Sequence, residues 1–106
     1  MNAASQPARR ALTATEVITR LTQLNGDQVQ GWRVIDNALE KTFRFADFHR
    51  TMAFANAVAY IAHAQDHHPD LQLGYGQCTV RWTTHDVGGL SASDFSCATQ
   101  VDALMT

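Results

Sequence analysis

From Cys78 to Thr83 the side chains alternate, with Cys78, Val80 and Trp82 apolar and Thr79, Arg81 and Thr83 polar. A period of two fits an extended strand whose two faces meet different surroundings. Such a strand cannot stand alone. The rest of a 106-residue chain must therefore supply its neighbours in a sheet and a layer over its apolar face. That length suits one domain with one core and leaves nothing for a second.

The neighbours are legible upstream. After Gly31 come Trp32 and Val34, a turn at Asp36-Asn37, then Leu39 and the alternation Phe43-Arg44-Phe45, which together predict a hairpin with one aromatic face. Leu71 to Tyr75 predicts another extended piece, with Gly74 and Gly76 allowing a tight return. Three helices supply the layer. Thr13 and Glu16 have capping-box spacing and Leu12 with Val17 that of a hydrophobic staple, so a helix is predicted over 12–24. Its inward face is Val17, Leu21 and Leu24 with Ile18 beside it, and Asn25-Gly26 is its stop.

A second helix is predicted over 47–64, with Met52, Ala55, Ala59 and Ala62 as its apolar face, widened by Phe48, Phe54, Val58 and Ile61. Pro69 biases His68 away from helix and ends the segment near the histidine pair. Gly88-Gly89 breaks the last strand, after which Ser91 and Asp94 form a capping box flanked by the staple of Leu90 with Phe95. The helix they open presents Phe95, Ala98, Val101 and Ala103 or Leu104 to the core. The expected fold is α+β in two layers: a four-stranded, mainly antiparallel sheet with three helices packed on one face, over residues 11–106, preceded by a flexible leader at 1–10. An exposed sheet face or edge could support self-association.

Composition narrows the function. A net charge of −2 with neutral histidines gives phosphates or an anionic membrane no long-range attraction, so neither direct nucleic-acid nor membrane binding is expected. No apolar run reaches membrane length. Cys78 and Cys97 read as small buried hydrophobes rather than a disulfide, and the expected location is reducing and cytoplasmic.

Three of the five histidines fall between Asp66 and Asp94. Histidine is the side chain that titrates near neutrality, so a cluster can hold proton donors and acceptors together. His67-His68, between Asp66 and Pro69, can serve as an acid/base pair or as solvent-facing or capping groups. Metal binding is a third reading: His63 and His67 are four apart, and His85 or Asp86 could join them, although no His-Glu-x-x-His signature is present. His49 and His63 otherwise read as helix-surface residues, and Asp94 as a helix cap that could also meet a ligand. Cys78 faces inward, Ser91 and Ser93 lack a hydrolase elbow, and no phosphate-binding glycine pattern occurs. Noncovalent proton transfer is the chemistry these residues favour.

Taken in order, Gly31-Trp32, Phe43-Arg44-Phe45, Asp47-Phe48, Asp66-His67-His68-Pro69-Asp70, Thr83-Thr84-His85-Asp86 and Gly89-Leu90-Ser91-Ala92-Ser93-Asp94 resemble the pterin-4a-carbinolamine dehydratase family. The resemblance implies helices against a four-stranded antiparallel sheet, a homodimer or homotetramer, and dehydration of 4a-hydroxytetrahydropterin (4a-hydroxytetrahydrobiopterin) to quinonoid dihydropterin. It implies His67, His68 and His85 as catalytic residues and Asp94, Asp66 and Asp86 as substrate-binding residues, with no cofactor and no metal. A functional link to an aromatic-amino-acid hydroxylase, through recycling of its pterin, also follows. The chain departs from the family pattern at His63, Leu71, Leu73 and Ser93. Two other readings are a noncatalytic pterin-binding or dimerisation module on the same fold and a metal-dependent small-molecule enzyme.

Overall fold

The computed structural model describes residues 10–106, so most of the expected leader lies outside the described residues. Four strands, β1 (Arg33–Ile35), β2 (Ala38–Arg44), β3 (Asp70–Leu73) and β4 (Gln77–Trp82), form one antiparallel sheet in the order β1-β2-β4-β3. Three helices, α1 (Ala14–Asn25), α2 (Phe48–Gln65) and α3 (Ala92–Ala103), complete the α+β arrangement. Asp36 and Asn37 join β1 to β2 with φ of 49° and 61°, the left-handed pair that a two-residue hairpin turn requires.

The register explains the two layers. Leu39 faces Trp82, Phe43 faces Cys78, and Leu71 faces Val80, which aligns these side chains on one face. On that face they form the core with Phe54, Val58 and Ile61 of α2 and Phe95, Ala98 and Val101 of α3. The opposite face is polar and internally paired: Thr42 and Thr79 hydroxyls lie 2.8 Å apart, Arg44 donates to Gln77 at 2.7 Å, and Arg81 bonds Glu40 at 3.2 Å. Lys41, on the core side, keeps its ammonium satisfied through Asp102 of α3 at 2.9 Å and Gln28 at 2.6 Å. Trp32 donates its Nε1–H to the same Asp102 at 3.0 Å, closing that end of the sheet against α3.

The helix starts follow their capping residues. Thr13 and Glu16 form the capping box of α1, and the Arg10 guanidinium pairs with both Glu16 oxygens at 3.0 and 2.9 Å. The Arg10 hydrogen bond first, and the Thr13 backbone bond after it, hold the Glu16 carboxyl down to about 2, from 4.5. Val17, Leu21 and Leu24 pack on the core as expected, but Ile18 is 65% exposed and lies outward.

The inward face of α2 keeps the predicted Phe54, Ala55, Val58, Ile61 and Ala62 and departs from the prediction at its edges. Its buried residues are Thr51, Phe54, Ala55, Val58, Ile61 and Ala62, whereas Ala59 is exposed, Met52 only half-buried and Phe48 about half exposed. Phe54, Val58 and Ile61 hold that face inward because they remove more apolar area from water than alanine does, and alanine is tolerated on either side. In α3 the predicted inward Ala103 and Leu104 are likewise exposed, since they lie where the helix ends. Cys78 and Cys97 are buried and form no disulfide, and burial pushes the Cys78 thiol up. Among the described residues, no helix is long and apolar enough to cross a membrane.

Candidate active site

The site begins where α2 stops. Asp66 adopts the left-handed conformation (φ 51°, ψ 45°), and its N–H closes the helix on the Ala62 and His63 carbonyls. The next residue, His67, donates its backbone N–H to Ala62 O at 3.1 Å, and its ring turns into the protein. There the imidazole stacks on Trp82, with ring centroids 5.6 Å apart and planes 17° from parallel, and is only 5% exposed. The aligned pair of His63 and His67, on which the metal reading rested, is not formed, because the left-handed Asp66 interrupts the helix and His63 stays on its surface. Among the described residues, no three His, Cys, Asp or Glu side chains gather as a metal site.

Asp94 lies beneath His67. Its Oδ1 is 2.6 Å from His67 Nε2, while Oδ2 accepts from the Thr84 hydroxyl at 2.7 Å and from the Ser91 backbone N–H at 2.9 Å. The carboxylate is wholly buried, so these contacts replace the water it has lost. Thr84 Oγ1 also lies 2.7 Å from Ser91 Oγ. A hydroxyl has one proton, and Thr84 gives its own to Asp94, so the Ser91 hydroxyl is the donor in that third contact.

The second arm of the site departs from the expected strand. A regular continuation of β4 would send His85 to the Arg81 and Thr83 side, away from Trp82. Instead β4 ends at Trp82, Thr84 makes an isolated bridge to Gly89, and residues His85–Val87 form a single 3-10 turn. Gly88 closes that turn at φ 67°, a conformation that glycine adopts without steric cost. The turn brings His85 back to the end of α2. A cleft of about 310 Å³ results, lined by Asp66, His67, His68, Thr83, Thr84, His85 and Asp86.

Five of the six expected site residues thus share one cleft, and Asp94 supports it from below. His68, His85, Asp66 and Asp86 are exposed at its surface, while His67 is the buried member. Larger hollows of about 610 Å³ between α1 and α3 and about 550 Å³ beside β1 and β2 contain no histidine. Thr84 and Ser91 were not singled out for the site. A signal existed for Thr84: counted by twos from Cys78, Val80 and Trp82 it falls on the inward side, where a hydroxyl must find a partner. Ser91 carried only its capping role. Chemically, the cleft offers imidazoles in different surroundings, one clamped by a carboxylate and two open to solvent, which suits concurrent proton donation and acceptance.

A family model described as pterin 4 alpha carbinolamine dehydratase matches residues 10–104. A protein of Paracidovorax citrulli named "Putative pterin-4-alpha-carbinolamine dehydratase" is 51% identical over 105 residues, covering 95% of this chain and 86% of the relative. One of the same name from Xanthomonas euvesicatoria pv. vesicatoria is 55% identical over 87 residues, covering 80% and 73%. Among solved structures, a transcriptional coactivator/pterin dehydratase from Brucella melitensis superposes with a TM-score of 0.82 at 28% identity, covering 92% of this chain and all of that one.

Proposed function

Because the chain belongs to the pterin 4 alpha carbinolamine dehydratase family, a family of hydro-lyases, we propose that its histidine cleft dehydrates 4a-hydroxytetrahydropterin to quinonoid dihydropterin. The observation that carries this reading is the meeting of His67, His68 and His85, from two separate segments, around one cleft. The reaction asks for what such a cleft offers. The 4a hydroxyl leaves as water once an imidazolium has given it a proton, the N5 lone pair drives the carbon–oxygen cleavage, and an imidazole accepts the N5 proton as the C4a–N5 double bond forms. One water is lost and no electrons change hands.

In this reading His67 and His85 are the acid/base pair and His68 orients the pterin or relays a proton. Asp66 and Asp86, at the cleft surface, accept hydrogen bonds from the pterin's N–H groups. Asp94 acts through His67, since its carboxylate is wholly buried and both of its oxygens are occupied by the protein. Fixed contacts of this kind hold the imidazole in place without solvent having to reorganise during the reaction. An aromatic-amino-acid hydroxylase would supply such a carbinolamine, and a cytoplasmic setting accords with that link.

The test is a time-resolved assay on freshly generated 4a-hydroxytetrahydropterin. Loss of the carbinolamine should be faster with protein than in buffer alone, in proportion to protein concentration. A rate equal to the spontaneous one rejects the proposal, and pterin binding without turnover would favour a binding module instead. Self-association as a homodimer or homotetramer belongs to the same reading. It is supported by the open edge of β3 beside Leu73 and Tyr75, 45% and 70% exposed, and by Phe48 and Tyr60 of α2, 48% and 74% exposed. A monomer mass by light scattering would remove it.

A further inference from the structure

We propose that Thr84 is a positioning residue that sets the protonation of the His67 ring: by clamping Asp94, it fixes the Nε2–H form and leaves Nδ1 as the nitrogen that exchanges protons with the ligand. What Nδ1 does rests on the dehydration reading, whereas the clamp itself rests on geometry alone. Thr84 and its neighbour Thr83 are chemically identical, but in the fold only Thr84 is buried, at 1% exposure.

A carboxylate can orient an imidazole only if it is itself held. Asp94 Oδ2 has two donors, the Ser91 backbone N–H at 2.9 Å and the Thr84 hydroxyl at 2.7 Å. With both in place the carboxylate cannot rotate about its own bond, and Oδ1 points at His67 Nε2 from 2.6 Å. An acceptor-only oxygen at that distance requires the proton on Nε2. The Ser91 hydroxyl, 2.7 Å from Thr84 Oγ1, in turn orients the threonine proton toward Asp94. The backbone of Thr84 also leads directly into the turn that carries His85, and its bridge to Gly89 fixes where that turn begins. One residue thus governs the position of both proposed acid/base groups, through its hydroxyl for His67 and through its backbone for His85.

Valine is the informative substitution, because it keeps the branched shape and the backbone preference while removing the donor. The ring nitrogens of His67 can be read directly by long-range proton–nitrogen NMR correlation on ligand-free protein, with His67→Gln to assign the signal. Wild-type protein should show the neutral ring protonated at Nε2. In Thr84→Val the signal should shift toward a mixture of forms. Because a hydrogen bond to a charged group is at stake, kcat for the carbinolamine should fall on the order of 10- to 100-fold while KM stays within about threefold. Thr84→Ser should restore both.

Wild-type His67 protonated at Nδ1 would overturn the proposal without any variant, so a Thr84→Val protein that fails to fold does not shelter it. A folded Thr84→Val variant with wild-type nitrogen signals and wild-type kcat would overturn it as well. If the signals respond as expected but even the wild-type protein does not accelerate dehydration, the clamp stands and the assigned reaction falls.

Discussion

Replacing His67 by glutamine together with His85 by alanine is expected to lower dehydration by on the order of 10³- to 10⁴-fold, or to the spontaneous rate if that is reached first, since each positioned acid or base contributes about 10²- to 10⁴-fold. The choice of glutamine follows from the burial of His67. Its ring is the partner of Asp94 Oδ1, and an alanine there would leave a buried carboxylate oxygen unpaired, at a cost of about 3 to 5 kcal/mol in stability. A glutamine amide can still donate to Asp94 but cannot shuttle a proton. His85 is exposed, so its truncation should change stability little. Stopped-flow loss of the carbinolamine, with circular dichroism as the control for folding, checks the result. Wild-type turnover in a folded double variant would end the assignment of these two histidines.

Asp94→Asn is expected to cost about 10³-fold in rate with little change in melting temperature, because an imidazole carrying its proton on the wrong nitrogen loses most of its capacity for acid/base work. The two donors on Oδ2, the Thr84 hydroxyl and the Ser91 N–H, require an acceptor, so the new amide must keep its oxygen there. Its NH₂ group then faces His67 Nε2, which can accept that hydrogen bond only by moving its own proton to Nδ1. The Asp94→Asn substitution would therefore invert the ring's protonation where Thr84→Val merely loosens it. Turnover within about threefold of wild type in this variant would show that Asp94 does not govern His67.

Much of the architecture was legible where side chains are large or chemically restrictive. The alternation through Cys78, Val80 and Trp82 predicted which face of β4 is covered, Asp36-Asn37 predicted the turn between β1 and β2, and Thr13 with Glu16 predicted the start of α1. Legibility failed where residues are indifferent to their surroundings. The alanines of α2 fit either side of a helix, so spacing alone placed Ala59 inward with Ala55 and Ala62, whereas it is exposed. At the end of β4, Thr83, Thr84 and His85 are all polar and carry no sign of where regular pairing stops. Extending the alternation through them would send His85 to the Arg81 and Thr83 side, whereas the 3-10 turn returns it to the end of α2.

The candidate site divides along the same line. That His67, His68 and His85 belong to one site was implied by the family resemblance rather than by spacing alone, and all three line one cleft. The burial of His67 was not foreseeable, because it depends on one left-handed residue, Asp66, turning the chain inward at the end of α2. The roles of Thr84 and Ser91 were hidden for a related reason. A short hydroxyl side chain reads the same whether it faces solvent or completes a buried network, and only the fold distinguishes the two.

The position of Asp94 has a consequence for how the protein loses activity. One carboxylate closes the first turn of α3 through the Ser91 N–H and holds the His67 ring. Fraying of that turn, a local opening far smaller than global unfolding, would release the imidazole at the same moment. On the proposed role of His67, helix start and turnover form one cooperative unit, and heat or denaturant should silence the cleft as soon as α3 begins to unwind, while the sheet behind it is still intact.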